Sequence, residues 1–248
     1  MRHFVSQGII LRKQTSGEND YFLTIFCPEL GRIQALSRGS RKISNQTGFH
    51  LDVLNLCDFQ FYKNGSSHLL TECRVEKAFQ TIKNDLQKSL YAITATEIIL
   101  KSFQDDQESQ QLYILLKNFL NNLENSHQHQ LLLEEFKIKT LNSAGSWPDI
   151  STCHFCLNKW TTEHTIYTDQ LGQLTCQNCL SLNHNQLKHI TFNTVKLAHF
   201  LAKHPLEQFN LTISAQELFN LQTITSIFLD NYLQQEVKSS RLLQSANP

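Results

Sequence analysis

Four cysteines in the second half of the chain have the residue type and spacing of a metal site. They form two Cys-x-x-Cys pairs separated by nineteen residues. Each pair turns two sulfur atoms toward one point, and two pairs supply the tetrahedral four-thiolate shell that Zn²⁺ prefers. The predicted ligands are Cys153, Cys156, Cys176 and Cys179. Because protein sulfurs fill all four positions, we expect one structural zinc ion without an activated water.

Two alternatives to a metal site exist at these cysteines, a redox pair and incidental buried thiols. A lone Cys-x-x-Cys would leave both open, whereas two pairs at this separation favour zinc. Nearby histidines are substitute ligands, but four thiolates already complete the shell. The remaining cysteines, Cys27, Cys57 and Cys73, stand singly among apolar neighbours, and we interpret them as core residues.

A second set of residues has the charge to contact a polyanion. Residues 1–80 contain ten Lys/Arg against seven Asp/Glu, although the formal net charge of the chain is zero. Cations on one face of a barrel can follow a phosphate backbone, with aromatic rings beside them for base stacking. An excess of three positive charges produces only a weak electrostatic field. The alternative to a DNA-binding surface is a basic loop that only contacts solvent. The predicted DNA contacts are Arg12, Lys13, Arg32, Arg38, Arg41, Lys42 and Lys63. The candidate stacking rings are Tyr21, Phe22, Phe26, Phe49 and Tyr62.

The elements that must position these residues change character near residue 80. Before it, short apolar runs alternate with turn signals at the spacing of five strands, and Asn-Gly at residues 64–65 indicates a hairpin. Five such strands favour an oligonucleotide-binding (OB) barrel. The predicted fold class is therefore α+β and multidomain. An N-terminal five-stranded OB-type β-barrel is followed by an α-helical domain with an inserted four-cysteine zinc knuckle.

After residue 80, apolar residues recur at spacings of three and four, which predicts helices packed on a shared core. Ser214 and Glu217 form a capping-box pair that begins the last of them, and the residues after Lys238 are expected to be frayed. The predicted helical segments are 86–103, 110–124, 129–145, 191–203 and 214–238. The predicted domains are an OB-fold DNA-binding domain at 1–80 and a helical domain at 81–248, interrupted by the zinc knuckle at 151–182.

Several classes of function are disfavoured by the sequence. None of the eight glycines lies in a Gly-x-x-x-x-Gly-Lys-Ser/Thr phosphate loop, so ATP hydrolysis by that route is excluded. Motifs of zinc proteases and serine hydrolases are missing, and we expect no enzyme. No apolar run approaches the ~18–20 residues of a membrane span, and the N-terminal residues lack a signal-peptide pattern. We therefore expect a cytoplasmic protein with reduced thiols.

The first part of the sequence resembles the opening of the bacterial RecO family. The shared features are an apolar run, a Gly-Glu-x-Asp turn, a Leu-Thr-Ile-Phe strand, a Gly-Arg turn and an Ala-x-x-Arg-Gly-x-Arg segment, all within residues 8–42. The helices, the cysteine block and the closing segment at residues 238–243 also follow in the order of that family. One departure is Tyr21 after Asp20, where the family has Arg or Lys, which removes one candidate phosphate contact.

This resemblance implies a mediator of DNA repair and recombination. Members of the family bind single- and double-stranded DNA, anneal complementary strands without ATP, and work with RecR to load RecA onto DNA coated by single-stranded DNA-binding protein. They also contact the acidic C-terminal tail of that coating protein. The implied partners are therefore DNA, RecR, the coating protein and, indirectly, RecA, with no membrane partner and a location at the bacterial nucleoid. Some members keep four cysteines, as this chain does, so the resemblance also implies zinc.

Two other classes of function are alternatives to a repair mediator, and only the first remains open. A zinc-containing adaptor would use the barrel as a protein-docking module and contact DNA only incidentally. A zinc-dependent hydrolase or deaminase conflicts with the closed four-thiolate shell. For the coating protein's tail, two helical faces are candidate receptors, although core packing is the more common role for any one of their side chains. These faces contain Leu112, Leu115, Leu116 and Phe119 in one helix, and Leu133, Phe136 and Ile138 in the next.

Overall fold

The structure, a computed structural model, describes residues 2–42, 47–64, 67–102, 109–180, 187–209 and 211–246. The described residues form two compact units. Unit 1 comprises Met1–Ser126 with Lys238–Pro248, and unit 2 comprises His127–Val237. The domain boundaries expected at residues 80, 151 and 182 stay a prediction.

The order of elements matches the expected change from strands to helices. The strands are β1 (Arg2–Ser16), β2 (Asp20–Cys27), β3 (Gly31–Ser37), β4 (Leu56–Asn64), β5 (Ser67–Lys77), β6 (Ile166–Thr168), β7 (Leu174–Cys176) and β8 (Lys188–Ile190). The helices are α1 (Thr47–His50), α2 (Gln80–Lys83), α3 (Leu86–Ser102), α4 (Gln110–Asn125), α5 (His129–Ser143), α6 (Phe192–Lys203), α7 (Ala215–Leu233) and α8 (Lys238–Ala246). In the described part of the chain, no helix combines the length and hydropathy that a membrane span requires.

A closed five-stranded barrel forms the first part of unit 1, which confirms the predicted α+β fold class. The strand order is β1-β2-β3-β5-β4. β1 closes the barrel because its first half pairs with β4 and its second half with β2, both antiparallel. β3 and β5 pair in parallel at Ala35–His68 and Leu36–Leu69. The expected Asn-Gly hairpin joins β4 to β5, and its residues 65–66 lie outside the described residues.

The alternation of the barrel strands places their apolar side chains inside. In β3, for example, Ile33 and Ala35 are buried while Gln34 between them is exposed. The strands lie very close where they cross, and a Cβ atom added at Gly8 would lie 2.7 Å from Cγ2 of Ile25. The barrel core contains Ile10, Leu23, Ile25, Cys27, Ile33, Ala35, Leu51, Cys57, Phe59, Phe61 and Leu70. Cys27 and Cys57 are therefore core residues as expected, and Cys73 is half-buried.

Helix α4 packs against the barrel within unit 1. The hydroxyl of Tyr113 donates to Oε1 of Gln7 at 3.0 Å, and its ring meets Phe26 edge-on. Lys77 at the end of β5 forms an ion pair with Glu124 at 2.6 Å. This packing buries the proposed receptor face, since its members Leu112, Leu116 and Phe119 are core residues. The second proposed face, on α5 in unit 2, is equally buried. Neither face is available as an open groove.

The described residues after Val237, 238–246, are not frayed, contrary to the expectation. They form α8, which packs against α3. The carboxylate of Glu97 on α3 accepts hydrogen bonds from the backbone amides of Lys238 and Ser239 at 3.0 and 2.9 Å and from the Ser239 hydroxyl at 2.6 Å. A carboxylate at a helix N-terminus satisfies free amides and favours the helix dipole. Glu97 therefore ties α8 to unit 1.

The pKa of Glu97 leads to a prediction about acid stability. Burial disfavours the charged carboxylate, but hydrogen bonds from Lys101, Ser239 and Lys238 outweigh it and lower the pKa to about 2 from 4.5. A lowered folded-state pKa contributes stability above the unfolded-state pKa, and this contribution is lost as the pH falls through 4.5 toward 2. We expect Glu97→Gln to destabilise the protein at pH 7 by about 1–3 kcal/mol. It should also flatten the acid branch of the stability curve.

The measurement is the melting temperature of both proteins between pH 3 and pH 7. Glu72→Gln, at an exposed position on β5, is the matched control and should leave the curve unchanged. Parallel curves for Glu97→Gln and the original protein would show that Glu97 does not stabilise α8.

Unit 2 contains a buried ion pair in its helical core. Glu134 and Lys137 on α5 are only 1% and 4% exposed, and the ammonium nitrogen lies 2.9 Å from Oε1 of Glu134. The hydroxyl of Thr225 on α7 hydrogen-bonds the same carboxylate. The neighbouring Glu135 accepts a hydrogen bond from the amide of Leu206 at 2.9 Å. Polar contacts therefore fix how α5 meets α7 and the turn after α6.

The buried pair predicts an asymmetric response to substitution. Glu134→Ala leaves the Lys137 ammonium buried without its counter-charge, and we expect it to destabilise unit 2 by about 3–5 kcal/mol. The double variant Glu134→Leu with Lys137→Met replaces the pair by apolar groups of similar size and should be neutral or stabilising. Denaturant unfolding of the three proteins tests this. Equal losses in the single and double variants would show that shape, and not the unpaired charge, sets the effect.

Candidate metal centre and nucleic-acid interface

The four predicted ligand cysteines come from two short segments of unit 2. Cys153 and Cys156 lie in a turn that is closed by the Leu157 amide donating to the Cys153 carbonyl at 2.9 Å. Cys176 ends β7, and Cys179 ends the single 3-10 turn that follows it. β7 pairs with β6 in antiparallel fashion, and β8 adds a third strand that the sequence analysis did not predict.

The sulfur atoms of these cysteines converge on one point. All four Sγ atoms lie within 4.8 Å of one another, and those of Cys156 and Cys176 are 3.9 Å apart. A tetrahedral shell with Zn–S distances of about 2.3 Å places sulfurs about 3.8 Å apart. The donor set and its spacing therefore fit a metal ion held by four thiolates. Cys153 and Cys176 are buried, whereas Cys156 is exposed.

The surroundings of the cluster favour negative charge on at least one sulfur. Burial disfavours the Cys153 thiolate, but backbone amides of Cys156, Cys176 and Phe155 point at it and lower its pKa to about 6. The amide of Cys176 lies 3.4 Å from that sulfur. The neighbouring thiols, Cys176 first among them, raise the pKa of Cys179 to about 12. Binding of a cation by all four sulfurs must displace the remaining protons, so metal affinity should increase with pH.

The cysteine segment is anchored to α7 by close contacts. The side-chain amide of Asn231 donates to the carbonyl of Leu171 at 3.1 Å. Gly172 has φ +82°, and a Cβ atom there would lie 2.3 Å from Cε1 of Phe228. Any other residue at 172 would strain the backbone and displace the ring. The β6–β7 turn can therefore pack this tightly on α7 only with glycine at that position.

Three of the predicted DNA contacts lie in one loop of unit 1. Arg38, Arg41 and Lys42 are exposed and follow β3 directly; we call residues 38–42 the basic loop. The turn between β1 and β2, residues 17–19, lies beside it. The backbone amide of Arg41 donates to the Asn19 carbonyl at 2.9 Å, and its guanidinium donates to the Gly17 carbonyl at 3.1 Å. The structure thus brings these three cations together.

Two further candidates lie on the second half of β1. Arg12 is exposed and pairs with Thr24 of β2. The ammonium of Lys13 lies 4.2 Å from the centre of the Tyr21 ring, a cation–π contact. Tyr21 pairs in turn with Ser37, the residue before the basic loop. Lys13 therefore lies on the same side of the barrel as the loop, and Tyr21 orients its charge.

The other two candidates are placed differently. The guanidinium of Arg32 donates to the carbonyl of Leu100, near the C-terminal end of α3, where a cation is favoured by unsatisfied carbonyls and the helix dipole. This contact connects Arg32 to α3. Lys63 is exposed on β4, where it pairs with His68 of β5 and with the start of β1. His68 pairs in turn with Ala35 near the end of β3. Of the predicted contacts, Arg32 is therefore engaged in a contact within unit 1, and the role of the set in DNA binding stays a prediction.

The candidate stacking rings divide in the same way. Phe26 is fully buried and is unavailable to a base, whereas Tyr21, Phe22 and Tyr62 are half-buried. The ring of Tyr62 lies 5.0 Å from that of His3, which is exposed. The side chain of Phe49 lies outside the described residues. Tyr62 and His3 form an aromatic pair near the β4–β5 hairpin, and sequence reasoning missed His3 because it considered only larger rings.

Comparison with known proteins decides the family. The model of the family described as "Recombination protein O N terminal" matches residues 1–79, and that described as "Recombination protein O C terminal" matches residues 83–241. The chain belongs to the RecO family. The DNA repair protein RecO of Dehalococcoides mccartyi is 27% identical over 98% of this chain and 95% of its own length. That of Clostridium perfringens is 28% identical over 96% of each chain.

A more distant RecO relative, from Listeria monocytogenes, is 23% identical over 96% of this chain and 92% of its own. The expected resemblance is therefore confirmed over nearly the whole chain, and so is the assignment to DNA repair and recombination. In this RecO-family chain, the Gly-Glu-x-Asp turn that carried the resemblance is the turn that lies against the basic loop.

The cysteine cluster predicts that the protein carries metal. Protein purified without chelators should contain about one metal ion per chain, and Cys176→Ser should release it because three thiolates remain. Elemental analysis measures the content, and circular dichroism reports the loosening of unit 2. Cys73→Ser, in the barrel, is the control and should keep the metal. Metal-free original protein with Cys153 and Cys156 joined in a disulfide would contradict the assignment.

Proposed function

We propose that this protein is a recombination mediator that binds single- and double-stranded DNA through its barrel and anneals complementary strands without ATP. In this proposal it also helps to load RecA, together with RecR, onto DNA coated by single-stranded DNA-binding protein. It acts as a binding protein and not as an enzyme, in the bacterial cytoplasm at the nucleoid. The observation that carries the proposal is the cluster of exposed cations in the basic loop, held against the β1–β2 turn of the barrel.

The position of this cluster supports nucleic-acid binding. OB barrels bind oligonucleotides across strands β2 and β3 and with the loops that join β1 to β2 and β4 to β5. The basic loop contacts the first of these loops, and Tyr62 and His3 lie near the second. Phosphates at the cationic side and unpaired bases at the aromatic side would occupy the face between them. Domain 1–80 would then supply most of the DNA contacts.

Strand annealing needs the physical properties that this surface offers. Two complementary strands repel each other through their phosphates, and cations on a protein reduce that repulsion without breaking a bond. Contacts to phosphate carry no sequence information, so any pair of complementary strands can be accommodated. A protein with this role requires neither a nucleophile nor a bound nucleotide.

The metal in this proposal is zinc with a structural role. Four thiolates are the ligands that Zn²⁺ prefers, and they close its tetrahedral shell to water and substrate. The residues that would hold it are Cys153, Cys156, Cys176 and Cys179, whose sulfurs already converge. Zinc would supply a cross-link between the two cysteine segments. Its loss should affect the fold of unit 2 before it affects the barrel.

The proposed partner proteins are RecR, the coating protein and RecA, which the family resemblance implies. The acidic tail of the coating protein requires an apolar groove with a cation at its rim. Because the core residues of the two helical faces first considered are buried, those residues do not form that receptor.

One observation favours the rival function, a zinc-containing adaptor. Unit 2 has a cavity of about 660 Å³ beside the cysteine cluster. Its lining includes Asp149, His154, Phe228 and Tyr232. A cavity of this size accepts a peptide side chain or a small ligand. If this cavity were the functional site, DNA binding would be weak and the basic loop would not matter for it.

Salt-dependent DNA binding tests the proposal against the adaptor. The logarithm of the association constant for a labelled oligonucleotide should fall linearly with the logarithm of salt concentration, because phosphate contacts release counterions. The double variant Arg38→Ala with Arg41→Ala should weaken binding equally for unrelated sequences and reduce the slope by about two. The same variant should slow ATP-independent annealing of complementary strands, followed by fluorescence transfer.

The control is Lys159→Ala with Lys188→Ala, which removes two exposed cations from unit 2. It should change neither the slope nor the annealing rate. If the original protein binds DNA without a salt slope, the adaptor is the better function. If it binds normally but the loop variant is unchanged, the DNA surface lies away from the basic loop.

A further inference from the structure

The half-buried carboxylate of Asp20 makes a contact that the proposed function does not use. Asp20 begins β2, and its Oδ1 accepts a hydrogen bond from the backbone amide of Gly39 at 2.7 Å. Gly39 lies in the middle of the basic loop and has φ +64°, a conformation that favours glycine. An acidic side chain is thereby placed beside the cations that would bind phosphate.

Simple electrostatics predicts that this carboxylate opposes DNA binding. A negative charge near a phosphate site weakens the local positive field, and the excess of cations in this part of the chain is small. Removal of an acidic residue from such a site normally tightens the binding of an anion. The hydrogen bond to Gly39 predicts the opposite result.

We propose that Asp20 is a positioning residue for DNA binding, which orders the basic loop so that Arg38, Arg41 and Lys42 face one phosphate path. This inference rests on the proposed function. Asp20 does not touch DNA. Its carboxylate fixes the backbone of the loop before binding, so that the ordering of the loop does not subtract from the affinity.

The contacts of the loop explain why one hydrogen bond can have this effect. The turn at residues 17–19 holds Arg41, through its backbone amide and guanidinium. Ser40 is buried and donates to the Ser37 carbonyl at 2.8 Å, which fixes the middle of the loop from the inside. Asp20 supplies a further tie, at Gly39, next to Arg38. A hydrogen bond to an ionised acceptor is stronger than one between neutral groups. Because Gly39 follows Arg38, this hydrogen bond also fixes the backbone position from which the Arg38 side chain extends.

The guanidinium of Arg41 remains able to bind phosphate while it contacts the turn. One of its nitrogens donates to the Gly17 carbonyl, and a guanidinium carries five N–H donors in a planar fork. The contact therefore orients the remaining donors and does not consume them. The contacts of Arg41 and the hydrogen bond between Gly39 and Asp20 therefore preorganise a cationic edge on the barrel.

Glu18 offers a matched control for the charge of Asp20. It is exposed in the turn that precedes Asp20, so its removal changes the local charge by the same amount. Among the residues that the structure describes, Glu18 makes no hydrogen bond to the basic loop. Charge and position can thus be separated by comparing Asp20→Ala with Glu18→Ala.

The experiment measures the affinity of full-length variants for a labelled single-stranded oligonucleotide by fluorescence anisotropy across a range of salt concentrations. Asp20→Ala should weaken binding about fivefold, the factor that corresponds to one hydrogen bond of about 1 kcal/mol. Its salt slope should fall by about one as a loop cation loses its phosphate. Glu18→Ala should bind equally well or more tightly. Asp20→Asn keeps an acceptor oxygen and should restore most of the affinity.

Hydrogen exchange of the Gly39 amide provides a readout that is independent of DNA. In Asp20→Ala this amide should exchange faster, while amides of the barrel core and the melting temperature stay close to those of the original protein. If Asp20→Ala does not fold, the comparison of Asp20→Asn with Glu18→Ala still tests the positioning role. Both variants remove one negative charge, but only Asp20→Asn weakens the hydrogen bond to Gly39. In that case Asp20→Asn should bind less tightly than Glu18→Ala.

Several outcomes would overturn the inference. Asp20→Ala that matches Glu18→Ala in affinity would show that charge alone governs binding. An affinity loss without faster exchange at Gly39 would show that Asp20 acts by another route. Absence of salt-dependent binding in the original protein would instead refute the proposed function. Normal binding that is lost in Arg38→Ala with Arg41→Ala but unchanged in Asp20→Ala would refute only the positioning role.

Discussion

Closure of the barrel by β1 is the constraint on which unit 1 depends. This strand is fifteen residues long and changes partner half-way, from β4 to β2, with a break in register between Ile10 and Arg12. A change of partner demands strong bending, which the bulge supplies, and close approach of the strands, which Gly8 permits. Because β1 continues beyond the barrel core to Ser16, the β1–β2 turn lies where β3 ends. The contacts between that turn and the basic loop follow from this closure.

Unit 2 is held together in a different way around its cysteines. Strands β6, β7 and β8 have only three residues each, too few to form a stable sheet alone. The segment compensates with specific contacts, in which Gly172 lies against Phe228 and the Trp160 indole donates to the Ile150 carbonyl at 2.8 Å. A metal held by four sulfurs would add a cross-link to a region with little apolar core. In the helices of unit 2, the packing of α5 against α7 depends partly on the buried ion pair of Glu134 and Lys137.

The features predicted correctly from the sequence are those that local pattern determines. The alternation of β3, the capping box of Ser214 and Glu217 at the start of α7, and the spacing of the cysteines each depend on neighbouring residues. The features that were missed join residues far apart in the chain. Arg32 meets Leu100 sixty-eight residues later, and Ser239 meets Glu97 at a separation of 142 residues. The sequence shows that Arg32 carries a positive charge. It does not show that the guanidinium will hydrogen-bond a carbonyl near the C-terminal end of α3.

This division of the cations bears on the proposed binding of DNA by a chain of zero net charge. Part of the positive charge in the barrel region serves the fold, since Arg32 binds the end of α3 and Lys77 pairs with Glu124. Fewer cations are then available to phosphate than the composition suggests. With a weak overall field, long-range attraction contributes little, and affinity must come from how well the few exposed cations match the phosphate spacing. In the proposed DNA-binding role, the position of each cation matters more than the total charge. The proposed positioning role of Asp20 would then explain why a carboxylate lies beside the basic loop, where it accepts a hydrogen bond from Gly39.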